Sequence, residues 1–64
     1  MTPHEIKVAL LARHETLSSV ARRLRVHPAH VSQVVSGKRD SGRVKAAIAK
    51  AIGKPVSRVF GRAA

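Results

Sequence analysis

The chain has few of the residues on which several classes of protein depend. It contains no cysteine, which excludes a disulfide framework and a thiolate metal site. It has no tryptophan or tyrosine and one phenylalanine, so a core must be built mainly from aliphatic side chains. Chains of about 60 residues bury only ~60% of their unfolded surface and are marginally stable alone. The length therefore predicts one domain, residues 1–64, that self-association would stabilise.

Acidic residues are the other shortage. The chain carries 3 Asp and Glu against 13 Lys and Arg, a formal charge of +10. Such self-repulsion contributes nothing to folding, so it indicates a polyanionic partner: nucleic acid first, an anionic membrane surface second. The alternative is a merely solvated basic surface. The carboxylates Glu5, Glu15 and Asp40 are each explained as caps or surface groups, so neither catalysis nor a cofactor is expected.

Long apolar runs are also missing. No run approaches the ~18 residues that a membrane-spanning helix needs. Residues 1–15 lack the leading basic residues and the cleavage site of a signal peptide. These absences predict a cytoplasmic protein, associated with the nucleoid if it binds DNA. The alternative from another class is a cationic amphipathic peptide that is largely unfolded in buffer and folds at a membrane.

Capping residues mark the start of a first helix. Thr2, Pro3 and Glu5 combine a capping hydroxyl, a proline at the first helical position and the glutamate of a capping box. This helix is expected to end near Arg13. Its apolar residues are Ile6, Val8, Ala9, Leu10, Leu11 and Ala12. They cover a wider arc than one core stripe needs, so the surplus is a candidate partner surface.

The second half of the chain predicts a longer helix and a short one. Asp40 or Ser41 caps the longer helix, and Gly53 ends it. Its apolar residues repeat at intervals of three, one, three and one: Val44, Ala47, Ile48, Ala51 and Ile52. A last turn or short helix after Pro55 is expected to close the core with Val56, Val59 and Phe60. Residues 61–64 are expected to fray, and no segment favours a strand or a wing hairpin.

Residues 16–37 are spaced as the two helices of a helix-turn-helix are. Thr16 caps a helix of about 17–24, and Arg25 occupies the turn, where a left-handed backbone is usual. The next helix begins at Pro28 and stops before Gly37. The residues expected to point inward are Val20, Ala21, Leu24, Val26, Val31 and Val34. The outward residues of the second of these helices are Pro28, Ala29, Ser32, Gln33 and Ser36, which are small or hydrogen-bonding, as entry into a major groove requires.

These segments resemble the small phage-repressor and Cro-like helix-turn-helix regulators, with the Ner-like phage regulators and the headpiece of the lac-repressor family as near relatives. The resemblance runs from about Ile6 to Gly61. Its most specific parts are LSSVARRLRVHPAHVSQVVSGKR and VKAAIAKAIGKPVSRVFG. It implies an all-α, lambda-repressor-like bundle of four or five helices without a wing, bound to DNA as a homodimer. The chain departs from the family where His14 and Arg25 replace a frequent glycine and His27 replaces a Ser or Thr cap.

The resemblance also implies which residues meet DNA. The positions that match the base-reading face are Pro28, Ala29, Ser32 and Gln33. The positions that match phosphate contacts are Thr16, Ser18, Arg22, Lys38, Arg39 and Arg43, and charge alone adds Arg23 to this basic clamp. Among them the Gln33 carboxamide can both donate to and accept from adenine, a contact worth about 1–3 kcal/mol of discrimination. For each residue the alternative is an ordinary solvated surface.

Two histidines, His27 and His30, stand three residues apart at the start of the expected recognition helix. This spacing alone does not make a metal site, because no set of four ligands is suggested. We expect instead that one of the pair lies near phosphate, and both are candidates for phosphate contact. Protonation below about pH 6.5 would then strengthen DNA binding.

The sequence thus predicts a DNA-binding transcriptional regulator, a repressor of the Cro type that acts as a homodimer. The dimer surface is either the surplus apolar arc of the first helix or residues 56–60. An architectural or recombination accessory protein of low specificity is the main alternative. A protein-binding adaptor or antitoxin is compatible with the same fold.

Overall fold

The computed structural model describes residues 1–61, which form five helices and no strand. The helices are α1 (Pro3–Leu11), α2 (Leu17–Leu24), α3 (Pro28–Ser36), α4 (Gly42–Ile52) and α5 (Val56–Phe60). The expectation of an all-α bundle without a wing is confirmed for these residues. The fraying expected at the C-terminus concerns residues that, beyond position 61, lie outside the described range.

Local hydrogen bonds explain where the helices begin. Thr2 Oγ1 accepts from the Glu5 amide at 3.1 Å, and Glu5 Oε1 accepts from the Thr2 amide at 2.8 Å, so the expected capping box is present. Ser41, and not Asp40, caps α4 by accepting from the Val44 amide. Asp40 instead forms a salt bridge of 2.8 Å with Lys45. Each cap satisfies an amide that the helix itself leaves without a partner.

Four helices end in the same way: a residue with left-handed backbone dihedral angles follows the helix. These residues are His14, Arg25, Gly37 and Gly53, with φ of 60°, 59°, 86° and 83°. At each of them the next residue's amide donates to a carbonyl five residues earlier, for example Lys38 to Gln33 at 2.9 Å. At the first end the Arg13 amide bonds to Leu10, three residues back. This tighter turn is why α1 ends at Leu11 and not near Arg13 as the pattern predicted.

The core is aliphatic and lies around α4, which contacts each of the other four helices. The buried residues are Ile6, Leu10, Val20, Ala21, Val31, Val34, Val35, Val44, Ile48, Ala49, Ile52 and Val59. Val35 and Ala49 were not among the expected core positions. Leu24 and Val26 are only half-buried and pack against the edge of this core. The prediction that Val56 closes the core was wrong, since this side chain is 39% exposed on the first turn of α5.

The start of the chain meets α5 on one side of this core. The amino nitrogen of Met1 donates to the Val59 carbonyl oxygen at 3.0 Å, which links the start of α1 to α5. Lys45 Nζ lies 5.8 Å from the centre of the half-buried Phe60 ring, a distance that allows a cation–π contact. Among the residues that the structure describes, no helix is long and apolar enough to cross a membrane.

Candidate nucleic-acid interface

Helix α3 has a buried valine side and an opposite side that is open to solvent. Val31 and Val34 are at most 1% exposed, and Val35 is also buried. Along the other side lie Pro28, Ala29, Ser32 and Ser36, all exposed, and the partly exposed Gln33. The pattern follows from 100° of rotation per residue, which puts positions 29, 33 and 36 opposite the valines. Ala29 and Gln33, two of the four residues expected to read bases, therefore share one accessible side of α3, and Pro28 and Ser32 are exposed outside the buried valine side.

Gln33 is held by its backbone and left free at its side chain. Its carbonyl oxygen accepts from the amides of Lys38 and Arg39, at 2.9 and 3.2 Å, and from Ser36 Oγ at 3.1 Å. Among residues 1–61 its carboxamide forms no hydrogen bond. Gln33 thus has a free amide donor and acceptor in its side chain. Its backbone carbonyl also fixes the loop after α3, which carries Lys38 and Arg39.

His27 caps the recognition helix. Its Nδ1 accepts from the Ala29 amide at 3.0 Å, in place of the usual Ser or Thr oxygen. An imidazole nitrogen that accepts carries no proton, so neutral His27 holds its proton on Nε2. The exposed ring therefore offers one N–H donor for a phosphate.

His30 pairs with a different group. Arg39 Nη1 lies 3.4 Å from His30 Nδ1, and because a guanidinium only donates, this nitrogen acts as the acceptor. The contact brings a cation of the loop after α3 against the first turn of α3. Within the part of the chain that the structure describes, no three metal-ligating side chains come together.

Arg43 joins the start of α4 to the end of α2. Its Nη2 donates to the Leu24 carbonyl oxygen at 2.9 Å, one of the carbonyls that the end of α2 leaves open. A guanidinium has five N–H donors, so this bond leaves others for a phosphate. Lys38, nearby in the chain, is exposed and forms no ion pair with any described residue.

The start of α2 offers hydroxyl groups beside free helix amides. Thr16 Oγ1 accepts from the Ser19 amide at 3.0 Å, so its own proton remains available to donate. Ser18 is exposed on the first turn. Helix N-termini attract anions through their unpaired amides and end dipole, and this one carries two hydroxyl groups in addition.

The two arginines of α2 have different surroundings. Arg23 Nη2 lies 2.5 Å from Glu15 Oε2, whereas Arg22 is exposed and forms no ion pair with the described residues. The pKa of Glu15 is lowered, first by a hydrogen bond from Ser19 and then by Arg23. Arg23 is therefore engaged within the protein. Arg22 is the one of the two whose guanidinium has no ion-pair partner among the described residues.

The loop before α4 stays positive although it contains an acidic residue. Lys45 donates to Asp40 and thereby lowers the pKa of that carboxyl. The salt bridge with Lys45 neutralises the Asp40 carboxylate. The cations on either side of Asp40 in the sequence, Lys38, Arg39 and Arg43, are exposed. These three cations and Arg22 are the exposed basic residues proposed to meet phosphate.

A family model described as winged helix-turn-helix DNA-binding matches residues 1–62. No curated protein and no solved structure matches the chain. Residues 1–61 contain no strand, so the hairpin that the word winged denotes is not among them. The match supports DNA binding by a helix-turn-helix, whereas the narrower likeness to Cro-like regulators stays a prediction. Since the matched residues are nearly the whole chain, the protein belongs to the winged helix-turn-helix DNA-binding family.

Proposed function

We propose that the protein is a sequence-specific regulator of transcription that inserts α3 into the major groove of double-stranded DNA. One observation carries the proposal: the valine side of α3 is buried, which leaves its small and hydrogen-bonding residues accessible on one surface. A helix with this surface, in a domain of formal charge +10, fits the groove in both shape and charge.

Base reading rests mainly on Gln33. Its carboxamide, which has no hydrogen-bond partner among residues 1–61, pairs with the two major-groove groups of an adenine. Ala29 lies against a thymine methyl, and Ser32 contributes a single hydrogen bond. Pro28, at the first turn, sets the approach of the helix and brings no polar group of its own. Specificity is therefore concentrated in one long side chain and supplemented by DNA shape.

Phosphate contacts supply most of the affinity. The residues proposed to make them are Thr16, Ser18, Arg22, His27, His30, Lys38, Arg39 and Arg43. All are exposed or partly exposed, and Arg43 keeps donors beyond its bond to Leu24. A dimer that makes ~6–10 phosphate contacts should lose on the order of 10³–10⁵ in affinity between 50 and 200 mM salt.

We further propose that the protein binds as a homodimer and represses transcription in the cytoplasm, on the nucleoid. Two recognition helices about 34 Å apart would contact successive turns of the duplex. Of the two candidate dimer surfaces, α1 keeps two large exposed apolar side chains, Val8 at 53% and Leu11 at 66%. Residues 56–60 are the weaker candidate, because Val59 belongs to the core.

One observation favours a second candidate function, an architectural or recombination accessory protein of low specificity. The open side of α3 carries a single long polar side chain, Gln33, and its other residues are small. Such a surface makes few base-specific hydrogen bonds, so binding by charge and shape alone would use the same helix.

Competition binding separates the two functions. A labelled duplex that contains the preferred site is displaced by the unlabelled site and by random duplex, each at 50 and 200 mM salt. A specific regulator prefers its site by a factor of roughly 10³ or more. A preference below about tenfold, with the same salt dependence for both competitors, would support the accessory protein. Binding that hardly responds to salt would contradict phosphate contacts altogether.

A further inference from the structure

A second basic surface lies on a side of the molecule that α3 does not reach. It is a groove of about 510 Å³ between the end of α1, the side of α2 and the second half of α4. Its lining residues are Arg13, Glu15, Arg23, Leu24, Ala47, Lys50 and Ala51. Of these residues only Arg23 was expected to contact DNA, and its salt bridge with Glu15 engages it within the protein. We call this surface the α1–α2–α4 groove.

The groove joins an apolar floor to a cationic rim. The half-buried side chains of Leu24, Ala47 and Ala51 form the floor. Arg13 and Lys50 stand at the rim, exposed and without an ion pair among the described residues. The remaining two charges cancel, because Arg23 pairs with Glu15. A ligand would meet two unpaired positive charges around an apolar surface.

Arg13 can lie at this rim because Gly53, the residue that ends α4, has no side chain. A Cβ at Gly53 would come within 2.6 Å of Arg13 Nη2, so the guanidinium lies directly against the glycine. The left-handed backbone at position 53, with φ 83°, already favours glycine. The same residue that ends α4 thus leaves the space that Arg13 fills.

Charge complementarity decides among the possible occupants. A second copy of the chain has three side-chain carboxylates to offer, and each is engaged: Glu5 in its capping box, Glu15 with Arg23 and Asp40 with Lys45. A DNA backbone would satisfy the cations but would cover the floor with polar groups, at a cost in desolvation. An acidic segment that also carries apolar side chains matches both features.

We infer that the α1–α2–α4 groove binds an acidic, partly apolar segment of a different protein. Carboxylates of that segment pair with Arg13 and Lys50, and an apolar side chain covers the floor. Arg22 and Arg23 are neighbours on α2 and diverge by about 100° around its axis, so the groove and the DNA surface can be occupied together. The inference goes beyond DNA binding and does not depend on it.

Two synthetic peptides of equal charge test the inference with the full chain. One has 12 residues with Leu or Phe at every third or fourth position among Asp and Glu, and the other has Ser at those positions. Fluorescence anisotropy measures their binding to the wild type and to Lys50→Glu. Lys7→Glu is the matched control, because Lys7 is an exposed α1 lysine outside the groove and the net charge changes equally. Arg13→Lys and Lys50→Ala serve where thermal melting shows that Lys50→Glu is not folded.

If the groove binds such a segment, the apolar peptide should bind at least about tenfold more tightly than the Ser peptide. Lys50→Glu should weaken binding of the apolar peptide by about tenfold, and Lys7→Glu should change it less than about twofold. Equal binding of both peptides, or equal losses in both variants, would overturn the inference in favour of general attraction between charges. A loss of DNA affinity in Lys50→Glu well beyond that in Lys7→Glu would assign the groove to DNA. A change in the dimer's dissociation constant confined to Lys50→Glu would assign it to a second copy.

Discussion

His27 shows how one side chain can serve both the stability and the contacts of a recognition helix. Its Nδ1 accepts from the Ala29 amide at 3.0 Å, which leaves the Nε2–H of the exposed ring as the outward donor. Histidine rarely caps helices, because Ser, Thr, Asp and Asn place an oxygen there with fewer constraints. The cap orients the first turn of α3, where Pro28 and Ala29 are proposed to approach DNA.

Removal of this acceptor is expected to destabilise the protein. His27→Ala should lower the free energy of unfolding by about 0.5–2 kcal/mol, the usual range for a lost cap. His27→Asn keeps an acceptor and should cost less than about 0.5 kcal/mol. Urea unfolding followed by circular dichroism measures both variants. Equal losses in Ala and Asn would mean that the hydrogen bond to Ala29 contributes nothing.

Arg25 is one of two described non-glycine residues, with His14, that have a left-handed backbone. With φ 59° and ψ 43° it occupies the left-handed region, which costs an L-residue roughly 1–2 kcal/mol. Arg25→Gly removes this strain at some cost in unfolded-chain entropy, so we expect stability that is equal or higher by up to about 1 kcal/mol. Gly37→Ala is the reverse case, since φ is 86° and a Cβ there would meet nothing within 4 Å. It should lose about 1 kcal/mol through backbone strain alone, and a stable Gly37→Ala with a weakened Arg25→Gly would contradict this reading.

We expect the contact between α2 and α3 to depend on a small residue. Ala21 is fully buried on α2, and we expect it to lie where the two helices cross. Ala21→Leu should overpack this contact and lower the free energy of unfolding by roughly 1–3 kcal/mol, with loss of the cooperative thermal transition. Ala46→Leu, at an exposed position of α4, is the control and should change little. An unchanged melting curve for Ala21→Leu would contradict a close approach of the two helices at this residue.

The starts of the helices were predictable from sequence because caps are local. Thr2, Thr16 and Ser41 each bond to an amide three residues away, so residue type and spacing suffice to identify them. The end of α1 was less certain, since both Leu11 and Arg13 are compatible with helix. There a three-residue hydrogen bond decides, and sequence patterns do not resolve such terminal turns.

Contacts between residues that are distant in the chain could not be predicted from the sequence. The bond from Arg43 to the Leu24 carbonyl spans 19 positions, and the Arg23–Glu15 pair joins α2 to the loop before it. Charge counting placed Arg23 and Arg43 in one clamp, whereas tertiary packing gives each an internal partner. Val56 was misplaced for a related reason: a five-residue helix has too few positions for periodicity to tell a core residue from its neighbour.

The whole molecule holds its few carboxylates in contacts that matter for acid stability. The pKa of Glu5 is lowered by hydrogen bonds from Thr2, that of Glu15 by Ser19 and Arg23, and that of Asp40 by Lys45. A group with a lowered folded-state pKa stabilises the protein above its unfolded pKa, and this stability is lost as the pH falls through the folded value.

The free energy of unfolding should therefore fall as the pH drops from about 5 to about 2, below the ordinary values near 4. Loss of the carboxylate charges also raises the net positive charge, which acts in the same direction. Urea unfolding at each pH measures the change. Glu15→Gln should decline less than the wild type over this range, because one of the three groups no longer titrates. Stability that is constant or rises toward pH 2 would contradict the assigned contacts.

In the proposed function, DNA recognition depends on the orientation of α3, and therefore on Gln33 as the long polar side chain of its open face. Selection of bound duplexes from a random pool, performed with the wild type and with Gln33→Ala, tests this most directly. The wild type should enrich a site with two half-sites one duplex turn apart and a fixed adenine in each, and Gln33→Ala should lose the preference at that adenine while it keeps the spacing. An unchanged adenine preference in Gln33→Ala, or no enriched site for the wild type, would contradict base reading by this face of α3.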